Sequence, residues 1–217
     1  MNGMLSRVLA VVTAGGITTG LVSSLYAGAA EASSTLMTLV RNNYNPSRSI
    51  STKYTLAIFW SVREKEEKRQ GSIALSPGDR FSITSGDESF VSNGSTYWHY
   101  NAKARQVTLK RLADVDLSML PSQLFARFIV SCPFTKARSV KGLAELVWTS
   151  DSSNAPYRSI RVWVRENDGR IEKCIMTDSN GNTFTYTFTT TRLGASLPKE
   201  TFEFTIPKSA RVVDLRQ

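Results

Sequence analysis

Residues 80–112 read RFSITSGDESFVSNGSTYWHYNAKARQVTLKRL. Short runs rich in β-branched and aromatic residues are separated by Ser85-Gly86-Asp87 and Ser92-Asn93-Gly94, turn sequences that supply positive φ and local side-chain caps. That punctuation predicts antiparallel strands near 80–85, 88–92, 96–101 and 105–112. In the third of them Thr96, Trp98 and Tyr100 alternate with Tyr97 and His99, so a strand there shows one set to each face.

The same pattern extends in both directions. Upstream, Thr52, Tyr54, Leu56, Ile58, Trp60 and Val62 alternate with Lys53, Thr55, Ala57, Phe59 and Ser61 in a long strand. Another strand is expected at 70–75, ahead of a turn at Ser76-Pro77-Gly78-Asp79. The mixed-charge run REKEEKRQ (63–70) reads as a solvated hairpin end. Downstream, strands are expected at 144–149, 158–165, 170–177, 182–191 and 201–206, with hairpin turns at Asn167-Asp168-Gly169 and Ser179-Asn180-Gly181-Asn182. In FTYTFT (184–189) every ring lies on one face and every threonine on the other.

Two segments break the period of two. Ser33-Ser34-Thr35 precedes LMTLVRNNY, where Leu36, Leu39 and Val40 recur at helical spacing, and that short amphipathic helix should end near Asn45-Pro46. In DVDLSMLPSQLFARFIV (114–130), Leu117, Leu120, Leu124, Phe125 and Phe128 form a helical stripe that Pro121 splits. The chain is therefore mainly β. A sheet of about 10–11 strands is too long to stay open and flat, and should curl into a barrel or split into a sandwich.

Residues 1–32 place Arg7 ahead of an apolar, small-residue run and end in Ala27-Gly28-Ala29 and Ala30-Glu31-Ala32, the layout of a signal peptide cleaved on export. Residues 33–217 then form one domain. No cysteine follows the leader closely enough to be lipidated, so the mature chain is expected to be soluble, unanchored and monomeric. The formal charge of +9 lies almost wholly in the mature part, since Arg7 and Glu31 cancel. In an exported chain it favours anionic membranes or acidic partners over nucleic acid, for which no motif is present. Cys132 and Cys174 are the only cysteines. They either pair, closing a loop that stabilises the fold by about 4 kcal/mol, or stay as two buried thiols.

Catalytic signatures are missing. There is no G-x-S-x-G, H-E-x-x-H, P-loop or glycine-rich dinucleotide turn, and the single histidine, His99, falls in mid-strand beside Trp98. The acid pairs Asp87 with Glu88 and Asp114 with Asp116 sit in turn-rich loops, where carboxylates are normally solvated. The expectation is a protein that is not an enzyme, with no catalytic residue, no cofactor and no metal ligand set.

Taken in order, several motifs resemble those of the periplasmic outer-membrane lipoprotein carrier family, LolA: Gly71 opening its strand, Phe81 after the Pro77-Gly78 turn, SNG-x-x-x-W-x-Y at 92–100, Gln106-Val107, Asp178-x-x-Gly181 and F-x-F-x-x-P at 202–207. The resemblance covers nearly the whole mature chain. It implies a strongly curved, unclosed antiparallel β-barrel with an N-terminal helix and a helical lid over an apolar cavity. It also implies a periplasmic chaperone that takes lipoproteins from an inner-membrane releasing transporter, covers their acyl chains, and passes them to an outer-membrane acceptor. On that reading the acyl chains meet Phe59 or Trp60, Ile73, Leu75, Phe81, Ile83, Phe90, Trp98 and Tyr100, with Leu120, Leu124, Phe125 and Phe128 from the lid. The family's basic residue before the turn proline ties lid to barrel, but Ser76 stands there in this chain, and Arg80 is the candidate to replace it. The alternative is a periplasmic lipid-binding or envelope-stress sensor module of the same fold.

Overall fold

The computed structural model describes residues 35–116, 133–152 and 155–216. The leader, the stripe residues 117–128 and Cys132 lie outside the described residues. One 12-stranded sheet dominates, in the spatial order β12-β6-β5-β4-β3-β2-β1-β11-β10-β9-β8-β7, so it is curved but unclosed, with β12 and β7 at its edges. Its strands are β1 (Ile50–Trp60), β2 (Lys65–Ser76), β3 (Arg80–Ser85), β4 (Glu88–Asn93), β5 (Thr96–Asn101) and β6 (Gln106–Arg111) in the first half. The second half holds β7 (Thr135–Val140), β8 (Leu143–Thr149), β9 (Tyr157–Arg165), β10 (Ile171–Asp178), β11 (Thr183–Leu193) and β12 (Arg211–Asp214).

Strands β1–β6 and β7–β11 are each a meander of sequential antiparallel neighbours, and the two meanders are joined by β1 against β11. In that seam Leu56 faces Tyr186 and Ile58 faces Phe184. Residues directly opposite in an antiparallel pair share a face, so the register carries one continuous apolar face across both halves. Ile50, Tyr54, Leu56 and Ile58 from β1 meet Leu146, Ile160, Val162, Val164, Cys174 and Met176 from the second half in one buried cluster.

The N-terminal helix α1 (residues 35–43) closes one end of this face. Leu36, Met37 and Val40 recur on one side of the helix, and with Tyr44 they are buried in the cluster. Beyond its last turn the Tyr44 hydroxyl accepts a hydrogen bond from the Ile171 backbone N–H at 2.9 Å, and Asn43 Nδ2 donates to the Asp168 carbonyl at 2.7 Å. Gly169, at φ 68°, lets the helix lie directly on that turn, because a Cβ there would come within 3.0 Å of Leu39 Cβ.

Three expectations need correction. The charged run is mostly strand, not hairpin end: β2 begins at Lys65 and pairs residue for residue with β1 through Trp60 opposite Lys65. Its charges are tolerated because Glu66 and Lys68 point to the solvated face while Glu67 and Arg69 pair with each other. The segment expected as a strand at 201–206 instead forms a short 3-10 helix, Lys199–Phe202, followed by irregular chain. The last ladder is β12, which runs parallel to β6, opposing Val212 to Val107. Finally, β7 has no counterpart among the expected strands. It turns into β8 through Lys141-Gly142, both at positive φ.

On the outer face of that end, Glu145 is 2% exposed and accepts hydrogen bonds from Arg138 Nε and, at 2.7 Å, from Arg161 Nε. Burial would raise its pKa, but the two arginines outweigh that and hold the carboxyl below its ordinary value. They bridge β7, β8 and β9. Because the folded pKa is depressed, the stabilisation is present above the unfolded carboxylate pKa of about 4.3 and is lost as pH falls through the lower folded value. Glu145→Gln is expected to lower stability by about 1–3 kcal/mol near neutral pH. Denaturant midpoints should show that gap to wild type closing as the medium is acidified; a gap independent of pH would contradict the assignment.

Candidate functional site

Alternation in β1 points Tyr54, Leu56, Ile58 and Trp60 to the concave face, and pairing brings Phe184 and Tyr186 of β11 beside them. From the other side come Ile83 of β3 and Phe90 of β4, which are themselves paired. These side chains, with Arg69, Ser85 and Glu88 at one end, enclose a cavity of about 180 Å³. Its walls are rings in contact: Trp60 meets Phe184 edge-on at 6.1 Å between centroids, and Tyr54 lies 5.4 Å from Tyr186. Tyr186 stacks in turn on Phe188 at 6.2 Å and 9°.

The lining is kept electrically quiet apart from its one polar end. Burial pushes the Tyr186 phenol well above its ordinary pKa and raises that of Tyr54, whose hydroxyl donates to the Thr84 carbonyl at 2.9 Å. Behind the wall Cys174 is a free thiol, wholly buried, with its pKa raised by desolvation, so it behaves as an apolar filler and not as a nucleophile. Its candidate disulfide partner, Cys132, lies outside the described residues. Among the described residues no group of three or more His, Cys, Asp or Glu is placed to hold a metal ion.

The polar end carries the charges. Arg69 Nε donates to Glu67 Oε1 at 2.6 Å, and Nη1 lies 3.9 Å from Glu88 Oε2. Hydrogen bonding to Arg69 holds the Glu67 carboxyl below its ordinary pKa, and Trp60 Nε1 also approaches Glu67, at 3.4 Å. His99 stacks on Phe90 at 4.6 Å and 15°, with Nε2 3.3 Å from Glu88 Oε1. The histidine is thus a strand-borne ring at the edge of the apolar face.

Of the residues expected to contact a ligand, Trp60, Ile83 and Phe90 line the cavity. Ile73 and Phe81 are on the same face but buried in its core, Phe81 with no exposure and 6.2 Å from Tyr97. Leu75 packs against that core and lines a separate hollow of about 220 Å³ between Tyr44 and the β2–β3 turn. Phe59 faces the other way, opposite Glu66 and Thr183, and is 38% exposed.

Trp98 and Tyr100 need the largest correction. Pairing sets Phe90 opposite His99 and Val91 opposite Trp98, so with Phe90 turned inward Trp98 must face outward. There it is buried with Val91, Val107 and Leu109, and Tyr100 contacts Phe204 at 5.6 Å, because the C-terminal segment covers this patch of the convex face. Arg80 also belongs to that face. Its Nε donates to the Pro77 carbonyl at 3.1 Å, Nη2 approaches Ser76 Oγ at 3.3 Å, and the guanidinium sits 5.7 Å over the Phe202 ring. The lid residues Leu120, Leu124, Phe125 and Phe128 lie outside the described residues.

Tyr54, Leu56, Ile58, Phe184 and Tyr186 also line the cavity but are not among the residues expected from the sequence, although the one-sided rings of β11 and the alternation of β1 mark them. Their pairing across the sequence is what no local pattern supplies. Arg69, Ser85 and Glu88 carried no such mark.

The sequence profile described as "Outer membrane lipoprotein carrier protein LolA" matches residues 47–205. The chain belongs to the LolA family. A relative described as an outer-membrane lipoprotein carrier protein, from Pseudoalteromonas translucida (strain TAC 125), is 26% identical over 155 residues, 67% of this chain and 71% of its own. One of the same description from Dechloromonas aromatica (strain RCB) is 25% identical over 171 residues, 76% of this chain and 81% of its own. Among solved structures, an uncharacterized conserved protein from Thermus thermophilus superposes with a TM-score of 0.53 at 13% identity, covering 83% of this chain and 98% of that one. That likeness concerns the fold alone.

Gly71 has a physical reason in this chain. It lies in mid-strand, where the Tyr54 ring crosses over it to reach Thr84; a Cβ would fall 2.6 Å from Tyr54 Cζ and well inside contact with the Thr84 carbonyl oxygen. Gly71→Ala is expected to cost about 1–3 kcal/mol through this overpacking, read as a lower denaturation midpoint. An unchanged midpoint would mean that the tyrosine does not cross the strand.

Proposed function

We propose that this protein is a periplasmic carrier that covers the acyl chains of lipoproteins released from the inner membrane and delivers them to an outer-membrane acceptor. The observation that carries the reading is the ring-lined, mostly apolar cavity on the concave face of a LolA-family sheet. Burying an acyl chain is worth about 0.8 kcal/mol per methylene, so leaving one long chain in water costs on the order of 12 kcal/mol. A soluble carrier must offset that cost and still release its load. A surface of rings and aliphatic side chains does so without the directional hydrogen bonds that would slow release.

The cavity is smaller than the roughly 300–1,000 Å³ typical of ligand sites, so loading requires its walls to move apart. The amphipathic stripe at 114–130 is the proposed second wall. Export by a cleaved leader puts the protein in the compartment where such cargo travels. Among the described residues no helix is long and apolar enough to cross a membrane. A carrier of a different lipid is the second reading, favoured by Ser76 before the turn proline and by Arg80 being engaged with Pro77, Ser76 and Phe202. Mass spectrometry of lipid co-purified from the periplasm separates the two.

Mature protein incubated with spheroplasts is expected to release a triacylated lipoprotein into the supernatant. Trp60→Asp should reduce that release about tenfold or more, whereas Phe59→Asp, one residue along but on the opposite face, should leave it within about twofold. No release by wild-type protein, or equal loss in the two variants, would refute carriage in this cavity.

A further inference from the structure

The cavity is apolar along its walls but ends in a charged cluster that carriage of bare hydrocarbon does not call for. Among the described residues Arg69 is the sole cation in the cavity lining. Its side chain is one-third exposed, and among the described residues only Nε is within hydrogen-bond distance of an acceptor, Glu67 Oε1. Nη1 is 3.9 Å from Glu88, too far for a hydrogen bond. A guanidinium has five N–H donors, so Arg69 presents unfilled donors beside Ser85 and Phe90 where an apolar ligand would end.

The surrounding charges restrict what those donors can accept. Two carboxylates, Glu67 and Glu88, flank one guanidinium, and His99 touches Glu88 from the far side. Even with a proton on His99 the cluster has no net positive charge. Lys65, exposed at the start of β2, is not among the described residues that line the cavity, but its charge acts on Glu67. An anionic head brought to Arg69 would meet Glu88 at close range in a partly desolvated site, where like charges repel strongly. A neutral acceptor meets no such penalty.

On the carrier reading given above, we propose that Arg69 is the specificity-determining residue of the cavity: it donates to the ester carbonyl oxygens of an uncharged acyl glyceryl group, while Glu67 and Glu88 turn away lipids with an anionic head. No covalent step is involved. The polar end thereby sets the depth to which the chains enter, and it separates a glyceryl-linked acyl load from free phospholipid.

Three soluble lipids with the same two chains test this by displacement of the apolar fluorophore N-phenyl-1-naphthylamine from the full mature protein. Dioctanoylglycerol is expected to bind about tenfold more tightly than the diether dioctylglycerol, which lacks the carbonyls, and about tenfold more tightly than dioctanoyl phosphatidate. In Arg69→Met the ester-to-ether ratio should fall to about 1, and in Glu88→Gln the phosphatidate should gain about tenfold relative to the neutral diester. Equal binding of ester and ether by wild-type protein, an unchanged ratio in Arg69→Met, or preferred binding of phosphatidate would overturn the inference while leaving carriage intact. If neither the fluorophore nor any of the three lipids binds, the carrier reading itself falls and the inference with it.

Discussion

The pairing of β1 with β11 is the constraint on which everything else in this molecule rests. It joins residues more than a hundred positions apart, Leu56 to Tyr186 and Ile58 to Phe184, and turns two meanders into one sheet. Because opposed residues share a face, a shift of this ladder by one position would turn Phe184, Tyr186 and Phe188 outward and bring threonines into the core. The rings on β11 fix the register, and the register builds the cavity. Gly71 and Tyr54 reinforce it from the next strand, the tyrosine reaching across the glycine to the β3 backbone.

A sheet this long, closed at neither edge, has no single compact core to stiffen it. Its concave face is one extended apolar cluster, capped at one end by α1 and walled by rings at the other. The convex face is stabilised differently in its two halves. Under the C-terminal segment it holds a small second core around Trp98, and near β7 it is held by the Arg138–Glu145–Arg161 group. Both devices lie off the concave face, whose cavity wall is charged at one end only, around Arg69 and Glu88.

Most of this was legible locally. Alternation and the Gly, Asn and Asp turns mark ten of the twelve strands and their hairpins, since these are set by side chains a few residues apart. The charged half of β2 was not legible, because Glu67 and Arg69 satisfy each other only once the strand has formed. Trp98 was misplaced for a different reason. Alternation shows that Trp98 and His99 face opposite ways but not which way is inward, and a large ring is the natural choice for a cavity. The tail from Lys199 to β12 buries that ring on the outside, a long-range cover that alternation within β5 cannot reveal. The cavity is legible in smaller part: of its eleven described lining residues, Trp60, Ile83 and Phe90 are among the contacts that the family resemblance implies, whereas Phe184 and Tyr186 need the partner strand.

The central claim is that cargo acyl chains occupy the concave face beside the β1–β11 seam. Photocrosslinking in living cells tests it most directly, with a benzophenone amino acid placed at Phe184 in one strain and at Phe59, on the convex face nearby, in another. The account predicts a lipoprotein adduct from position 184 and none from position 59. An adduct from position 59 alone, or none from 184 in cells actively exporting lipoproteins, would contradict it.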